Sequence, residues 1–155
     1  MWRTVMKRIL VCILALLLLA GCGNKSEGTA PVEKNLEAIY AQIEPQLPEM
    51  MKLSDSMMLD LLGIKAEFCS QALVYICADG LQVDEIWLIK AANAESMSTL
   101  KTLAQNRLES QKDIYQSYAP DQYAILEQGE IRTEGDYLCF VVSQNAGKLA
   151  DIFSK

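Results

Sequence analysis

Hydrophobic residues recur with two different periods along the first part of residues 31–155. Between residues 31 and 62, apolar side chains return every three or four positions, which predicts two successive helices. The segments 69–78 and 84–91 are instead rich in Val, Ile, Tyr and Trp, and they flank Asp79-Gly80. This arrangement predicts a β-hairpin whose turn contains the Asp-Gly pair. Two helices are therefore expected before the first two strands.

The second part of the chain repeats this order of helices followed by strands. Asn93 is a favourable N-cap, and the period after it predicts a long helix to about Ser117. Beyond it we predict a helix over 120–128, strands over 130–133 and 137–143, and a helix over 146–153. The order ααββααββα predicts an α+β domain with an antiparallel four-stranded sheet, made of two hairpins, and helices packed on one face.

The N-terminal pattern is that of a leader segment. Three basic residues precede the apolar run 9–19, which closes on Leu19-Ala20-Gly21-Cys22 and resembles a bacterial lipoprotein signal. The run has about a dozen residues, against roughly 20 needed to span a bilayer, which disfavours a permanent membrane helix. We therefore predict that residues 1–21 are removed, that Cys22 is lipidated, and that residues 22–30 form a flexible tether to a single domain over 31–155.

The charge balance favours some partners over others. The chain has 20 acidic and 14 basic residues, and three of the basic ones lie in the leader. An acidic domain of this kind disfavours nucleic acid and anionic headgroups, and it favours cationic ligands or basic partner surfaces. The length suits one core and is too short for the two lobes of a typical solute-binding lipoprotein.

The chain contains no histidine. This excludes a histidine general base, Ser-His-Asp and Cys-His catalysis, and most zinc sites. No Gly-rich phosphate loop, paired-cysteine motif or EF-hand loop occurs, so we expect no metal and no cofactor. A mechanism that uses only carboxylates stays open, because 20 acidic residues always furnish pairs.

Three cysteines follow the one predicted to carry lipid. They are Cys69, Cys77 and Cys139, an odd number, so at least one thiol is unpaired. Cys69 and Cys77 lie too far apart on one predicted strand to bridge each other, whereas Cys77 could reach Cys139. Buried free thiols that act as small apolar residues are favoured, and a redox role for Cys77 or Cys139 is the alternative.

A candidate polar network joins the long helix to the first hairpin. Arg107 and Gln111 fall in the apolar stripe of the helix, and Tyr118 continues that stripe at its end. Strand alternation places Glu85 and Trp87 on one face, which makes Glu85 the natural partner of Arg107. The network is either structural or a cleft in which Arg107 grips a carboxylate or phosphate. Trp87 is either a core residue or an exposed ligand platform.

Several short motifs follow the leader in a defined order: Asp84-Glu85-Ile86, Lys90-Ala91, Arg107, Gln111-Lys112, Tyr118-Ala119-Pro120 and Gly135-Asp136-Tyr137. Over roughly residues 33 to 145, this set resembles the small lipoproteins of clostridia and related Gram-positive bacteria that carry a domain of unknown function. The resemblance implies no established activity. It implies a host without an outer membrane, and hence a place on the outer face of the cytoplasmic membrane. We expect the lipid at Cys22 to carry acyl chains such as palmitate. Where that family usually has Tyr-Gly before the first hairpin, this chain has Leu61-Leu62-Gly63.

These observations favour a membrane-tethered, non-enzymatic module that binds an unknown envelope protein or small ligand, with no catalytic residue. The alternative is a carboxylate-based envelope hydrolase with a cleft around Glu85, Arg107 and Gln111. Solvent access to Arg107 separates the two hypotheses. Burial with full pairing to Glu85 argues against the cleft, whereas a guanidinium that faces a cleft with a spare donor supports it.

Overall fold

The chain forms an α+β fold, which the computed structural model describes for residues 33–155. In that part the elements follow one another as α1 (Leu36–Ile43), β1 (Met50–Lys52), α2 (Asp55–Leu62), β2 (Cys69–Cys77), β3 (Glu85–Ala91), α3 (Ala94–Tyr118), α4 (Pro120–Leu126), β4 (Glu130–Glu134), β5 (Tyr137–Val142) and α5 (Ala146–Phe153). The predicted leader over 1–21, the lipidation at Cys22 and the tether over 22–30 lie outside the described residues. None of the helices within 33–155 is both long and apolar enough to cross a membrane.

The sheet is antiparallel and has five strands in the order β1-β2-β3-β5-β4. The prediction of four strands in the order ααββααββα was therefore wrong. The missing element is β1, which lies between the first two helices and pairs with the end of β2, with Met50 opposite Cys77. Three residues are too few to show a period, and two of them are exposed. Only the pairing with β2 makes this segment a strand.

Helices cover both faces of the sheet, which corrects the prediction that they pack on one face. Helices α1 and α5 share one core cluster with Ile86 and Leu88 of β3. Helices α2, α3 and α4 share the other cluster with Trp87 and Ile89. The alternation expected along β3 is thus confirmed, but both of its sides are buried. Every residue of β5 is buried for the same reason.

Local signals that are visible in the sequence begin and end several elements. The Asn93 side chain accepts a hydrogen bond from the Ser96 N–H, so α3 begins where the sequence predicted. Helix α2 ends at Gly63, which adopts a φ of 70°, and Gly135 in the β4–β5 turn adopts a φ of 55°. Both angles lie in the left-handed region that glycine adopts without strain. The first helix begins at Leu36, later than the pattern from residue 31 predicted.

The two ends of the sheet carry different polar groups. At the end that we call the near end, the Glu33 carboxylate accepts hydrogen bonds from Lys90 Nζ at 2.7 Å and Tyr137 Oη at 2.6 Å. The opposite end, which we call the far end, begins with Glu85 of β3. Helix α3 starts beside the near end and runs back over the sheet until Arg107 contacts Glu85. The described chain therefore enters at one end, and the candidate network lies at the other.

Candidate functional site

The ion pair expected between Glu85 and Arg107 is present at the far end. Arg107 Nε and one terminal nitrogen lie 3.0 and 2.9 Å from the same oxygen, Glu85 Oε2. The Trp87 indole N–H donates to the other oxygen, Oε1, at 2.7 Å. Glu85 can stand next to Trp87 on one face because the two residues are two positions apart on a strand. Both carboxylate oxygens of Glu85 are thus occupied.

Burial differs sharply between the two partners. The Glu85 side chain is 5% exposed, whereas that of Arg107 is 28% exposed. Removal from water raises the pKa of the Glu85 carboxyl, and the Arg107 charge and the Trp87 N–H oppose that rise. The buried carboxylate thus depends on Arg107, while the guanidinium keeps part of its edge in solvent. The pair holds α3 against β3 and has no net charge.

Two other members of the predicted network lie apart from this pair. The Gln111 side chain is half-buried and has no hydrogen-bond partner within residues 33–155. Tyr118 is 73% exposed, and its nearest aromatic neighbour is Tyr115, with ring centroids 6.3 Å apart. The structure therefore brings Glu85 and Arg107 together but does not bring Tyr118 to them. The stripe continues along α3, but the sheet beneath it ends near Arg107.

Trp87 belongs to the core and is not an exposed platform. Its side chain is fully buried, and its ring meets Phe140 edge to face with centroids 4.9 Å apart. The indole contributes apolar area to the layer under α3, while its N–H satisfies the buried Glu85. Trp87 therefore couples the core to the polar network.

Asp84 precedes Glu85 but lies on the opposite face of the sheet. Its side chain is hydrogen-bonded to Ser143, and burial raises the pKa of its carboxyl above the ordinary 3.8. The two neighbouring carboxylates therefore point to different sides of the sheet. A glycosidase-type mechanism needs two carboxyl groups that flank one bond. Asp84 and Glu85 cannot supply that pair.

The described cysteines are all free. The bridge considered between Cys77 and Cys139 is absent because β3 lies between their strands, β2 and β5. Cys139 is fully buried, and burial raises the pKa of its thiol to about 12. Burial also raises the pKa of the half-buried Cys69 to about 11. Because the thiolate is the reactive form, neither group has the properties of a redox centre at neutral pH.

Alkylation kinetics test this conclusion for Cys139. We expect iodoacetamide to label Cys139 only in unfolded molecules. The rate at which Cys139 is alkylated in the folded protein should therefore be at least about a hundredfold below that of a model thiol. Pulsed alkylation followed by peptide mass spectrometry measures this rate, and denatured protein provides the control. Rapid labelling of Cys139 in the native state would instead support a redox role for this thiol.

Clusters of metal-ligating side chains were sought within residues 33–155. Among residues 33–155, no three His, Cys, Asp or Glu side chains are grouped so that they could hold one. Over the same residues, every buried side-chain nitrogen or oxygen has a hydrogen-bond partner. The polar groups of the core therefore satisfy one another.

The sequence interpretation did not identify the exposed apolar side chains toward the far end. Leu81, in the β2–β3 loop, is 70% exposed, and Ile114 and Tyr118, on α3, are 57% and 73% exposed. Helix lengths could have revealed them. Helix α3 has 25 residues and is about 37 Å long, whereas the seven residues of β3 span about 23 Å. A helix this much longer than its strand must extend beyond the sheet.

Comparison with known proteins identifies a family without an assigned activity. No curated protein and no solved structure matches the chain. Residues 32–143 match the family described as Domain of unknown function (DUF4358), a span of more than half the chain. It includes the ion pair, the core tryptophan and the whole of α3 and α4. The chain therefore belongs to the DUF4358 family.

Proposed function

We propose that this protein is a lipoprotein of the outer face of the cytoplasmic membrane, anchored through lipid at Cys22, and that its domain is a non-enzymatic interaction module. The observation that carries this proposal is the separation of the two ends of the sheet. The described chain enters at the near end, and the exposed apolar side chains lie at the far end. Residue 33, through which an anchor at Cys22 would join the domain, lies at the end of the sheet opposite these side chains.

Contacts at the near end hold both ends of the described chain together. Lys34 Nζ donates to the Phe153 carbonyl at 2.6 Å and lies 2.8 Å from a Glu134 carboxylate oxygen. Helix α5 thus ends beside the point where the chain enters. The far end carries neither end of the described residues 33–155. The ends of the described chain thus meet at the near end, which suits a domain that is tethered there and binds a partner at its far end.

The geometry supports this module over the carboxylate hydrolase. Glu85 is buried with both oxygens occupied, and the adjacent Asp84 lies on the other face of the sheet. Arg107 keeps a partly exposed edge, but its charge is neutralised by Glu85 at 2.9 Å. A neutral pair in an acidic domain has little attraction for a carboxylate or phosphate ligand. The network is better suited to supporting α3 than to reacting with a substrate.

Fatty-acid labelling tests the anchor. Cells that produce the protein are grown with an alkyne analogue of palmitate, and the wild type is compared with Cys22→Ala. We expect label and membrane association in the wild type and neither in the variant, because the thiol is the acceptor of the lipid. Cys12→Ala is the matched control, since it removes a thiol from the leader without touching the predicted acceptor.

The same experiment can refute the proposal. An unlabelled wild-type protein that is found free of the membrane would contradict lipid anchoring. Label that persists in Cys22→Ala would place the lipid elsewhere. Protease added to cells stripped of their wall should degrade the domain, and protection from it would contradict the outer face.

A further inference from the structure

We propose that the exposed end of α3 pairs, in antiparallel orientation, with the same segment of a second copy of this chain. This inference rests on the proposed interaction module, because it names the partner of that module. The segment runs from Arg107 to the end of the helix at Tyr118. We call the side chains of Arg107, Gln111, Ile114 and Tyr118 the α3 seam.

The α3 seam continues the stripe that packs α3 onto the sheet. Leu100 and Ala104 of this stripe are buried, and the seam residues follow them at alternating steps of three and four positions. At 100° per residue, all of them lie within about 40° of one line along the helix. This spacing is typical of a helix that packs lengthwise against another helix. The sheet covers the stripe only as far as Arg107, so the pattern continues where the sheet no longer provides a neighbour.

The two flanks of the seam differ. Tyr115, on one flank, is half-buried and packs against the core cluster that contains Leu126 of α4. Ser110 and Ser117, on the other flank, are exposed, as are the last two residues of the seam. Small side chains let two helices approach closely. The seam is therefore accessible to a second helix from the side of the serines.

The charges of α3 do not oppose such a contact. Among residues 94–118 of the described chain, no carboxylate lies on the seam or on its flanks. Glu109 and Asp113 project about 140° or more away from the line through Leu100. Because the domain is acidic, carboxylates on the seam would repel a second copy. Their position on the opposite side of α3 removes that objection.

The order of side chains in the seam is complementary to itself. In an antiparallel pair of identical helices, a twofold axis between positions 112 and 113 places Arg107 opposite Tyr118 of the second copy. The same axis places Gln111 opposite Ile114 of the second copy. The Arg107 side chain is 28% exposed, and a guanidinium favours the face of an aromatic ring. Both contacts occur twice, because the interface is the same for the two copies.

The length of the extension matches this register. Arg107 contacts Glu85 where β3 ends, and Tyr118 lies about 16 Å further along α3. The antiparallel arrangement places the last residue of each α3 beside the point where the sheet of the other copy ends. Each exposed stripe is then covered along its whole length by the other.

The pair is a weak one, and the membrane favours it. The seam contributes four side chains per copy, against about 20–30 residues per side in a stable complex. Two copies that are anchored through Cys22 in one membrane are held at a high effective concentration, which promotes a weak contact. The proposed anchor and the small seam therefore act together.

Site-specific photo-crosslinking in cells tests the pairing on the full-length protein. The residue exchange Tyr118→p-benzoylphenylalanine places the probe at the end of the seam. Gln116→p-benzoylphenylalanine is the matched control, since Gln116 is exposed on the opposite side of the same turn. We expect position 118 to give a covalent dimer whose attachment site, read by mass spectrometry, lies within about one helical turn of Arg107 of the second copy. The dimer yield at position 116 should be at least about tenfold lower.

A charge placed in the seam provides the second arm. Ile114→Glu brings two carboxylates close to the twofold axis and should lower the dimer yield at position 118 by at least about tenfold. Glu109→Lys, on the opposite side of α3, should leave that yield unchanged. Both residues are exposed, so the fold should persist, and circular dichroism checks this. An unchanged yield in Ile114→Glu would overturn the proposal. So would a dimer that is attached elsewhere, an adduct with lipid, or no adduct at position 118.

The outcomes separate this inference from the proposed function. An adduct of position 118 with a different protein, with lipid label retained at Cys22, would refute the pairing and leave the tethered interaction module intact. Absence of lipid label from the wild-type protein would refute the anchor whatever the crosslinks show.

Discussion

Replacing Arg107 with alanine is expected to lower the free energy of unfolding by about 3–5 kcal/mol at neutral pH. The reason is the burial of its partner. The Glu85 side chain is 5% exposed and would keep a negative charge without its counter-ion. Urea denaturation of the purified protein, followed by far-UV circular dichroism, measures the loss as a lower midpoint with an unchanged slope.

The loss of stability caused by Arg107→Ala should be smaller in acid, and the sign of this pH dependence follows from the pKa of Glu85. Burial raises that pKa above the ordinary 4.5, and removal of Arg107 removes the main opposing charge. The folded variant therefore binds a proton more tightly than the unfolded chain does. The stabilisation that this bound proton provides is complete below the pKa of Glu85 in the unfolded chain. It is lost as pH rises through the pKa of Glu85 in the folded variant. Denaturation at pH 4 and pH 7 should show a smaller deficit at pH 4.

Two further variants control this prediction. Glu85→Gln in the Arg107→Ala background removes the buried charge and should recover part of the loss. Arg132→Ala breaks a surface pair with Asp151, whose side chain is 62% exposed, and should cost at most about 1 kcal/mol. A loss at Arg107 no larger than that at Arg132 would contradict a structural role for the buried pair.

Replacing Trp87 with alanine should destabilise the domain by about 3–5 kcal/mol, because the fully buried ring leaves a cavity beside Phe140. The loss of the indole N–H also leaves Glu85 Oε1 without its donor, which adds about 1–3 kcal/mol. Domains are typically stable by about 5–15 kcal/mol in total. Trp87→Ala should therefore be the most damaging of the variants considered, and urea denaturation measures it.

Matched aromatic variants separate the two contributions. Trp87→Phe keeps most of the ring and removes the N–H, so it should cost less than Trp87→Ala. Tyr118→Ala removes a ring that is 73% exposed and should change stability by no more than about 0.5 kcal/mol. Equal losses at positions 87 and 118 would contradict the assignment of Trp87 to the core.

Much of the local structure could be predicted because it depends on neighbouring residues. The Asn93 cap, the stop at Gly63 and the tight turn at Gly135 are chemical properties of those residues. Strand β1 could not be predicted in this way. Its three residues have no period of their own, and they become a strand by pairing with the end of β2.

The prediction that helices cover one face failed although the sequence held a signal against it. The strands β3 and β5 are almost continuously apolar, and such strands are usually buried on both sides. In the fold, α1 and α5 cover one side, and α2, α3 and α4 cover the other. The apolar character of a strand predicts that it is covered, but not which helices cover each side.

The candidate site also contains one contact that could be predicted from the sequence and one position whose surroundings could not. Glu85 and Arg107 could be paired from the sequence because strand alternation and helical period each place a side chain on an inward face. Tyr118 was assigned to that network because it shares the stripe. The stripe carries no information about where the sheet ends, so the same period predicts burial at Leu100 and fails at Tyr118.

The sequence by itself determined the features that depend on residue type and on near neighbours: the caps, the turns, the lack of histidine and the pairing of Glu85 with Arg107. Only the tertiary structure decided the fifth strand, the two covered faces and the exposure of Ile114 and Tyr118. These features depend on contacts between residues far apart in the chain and on the relative lengths of α3 and β3. A local pattern can indicate which side of a helix is apolar, but the fold determines where that side is covered.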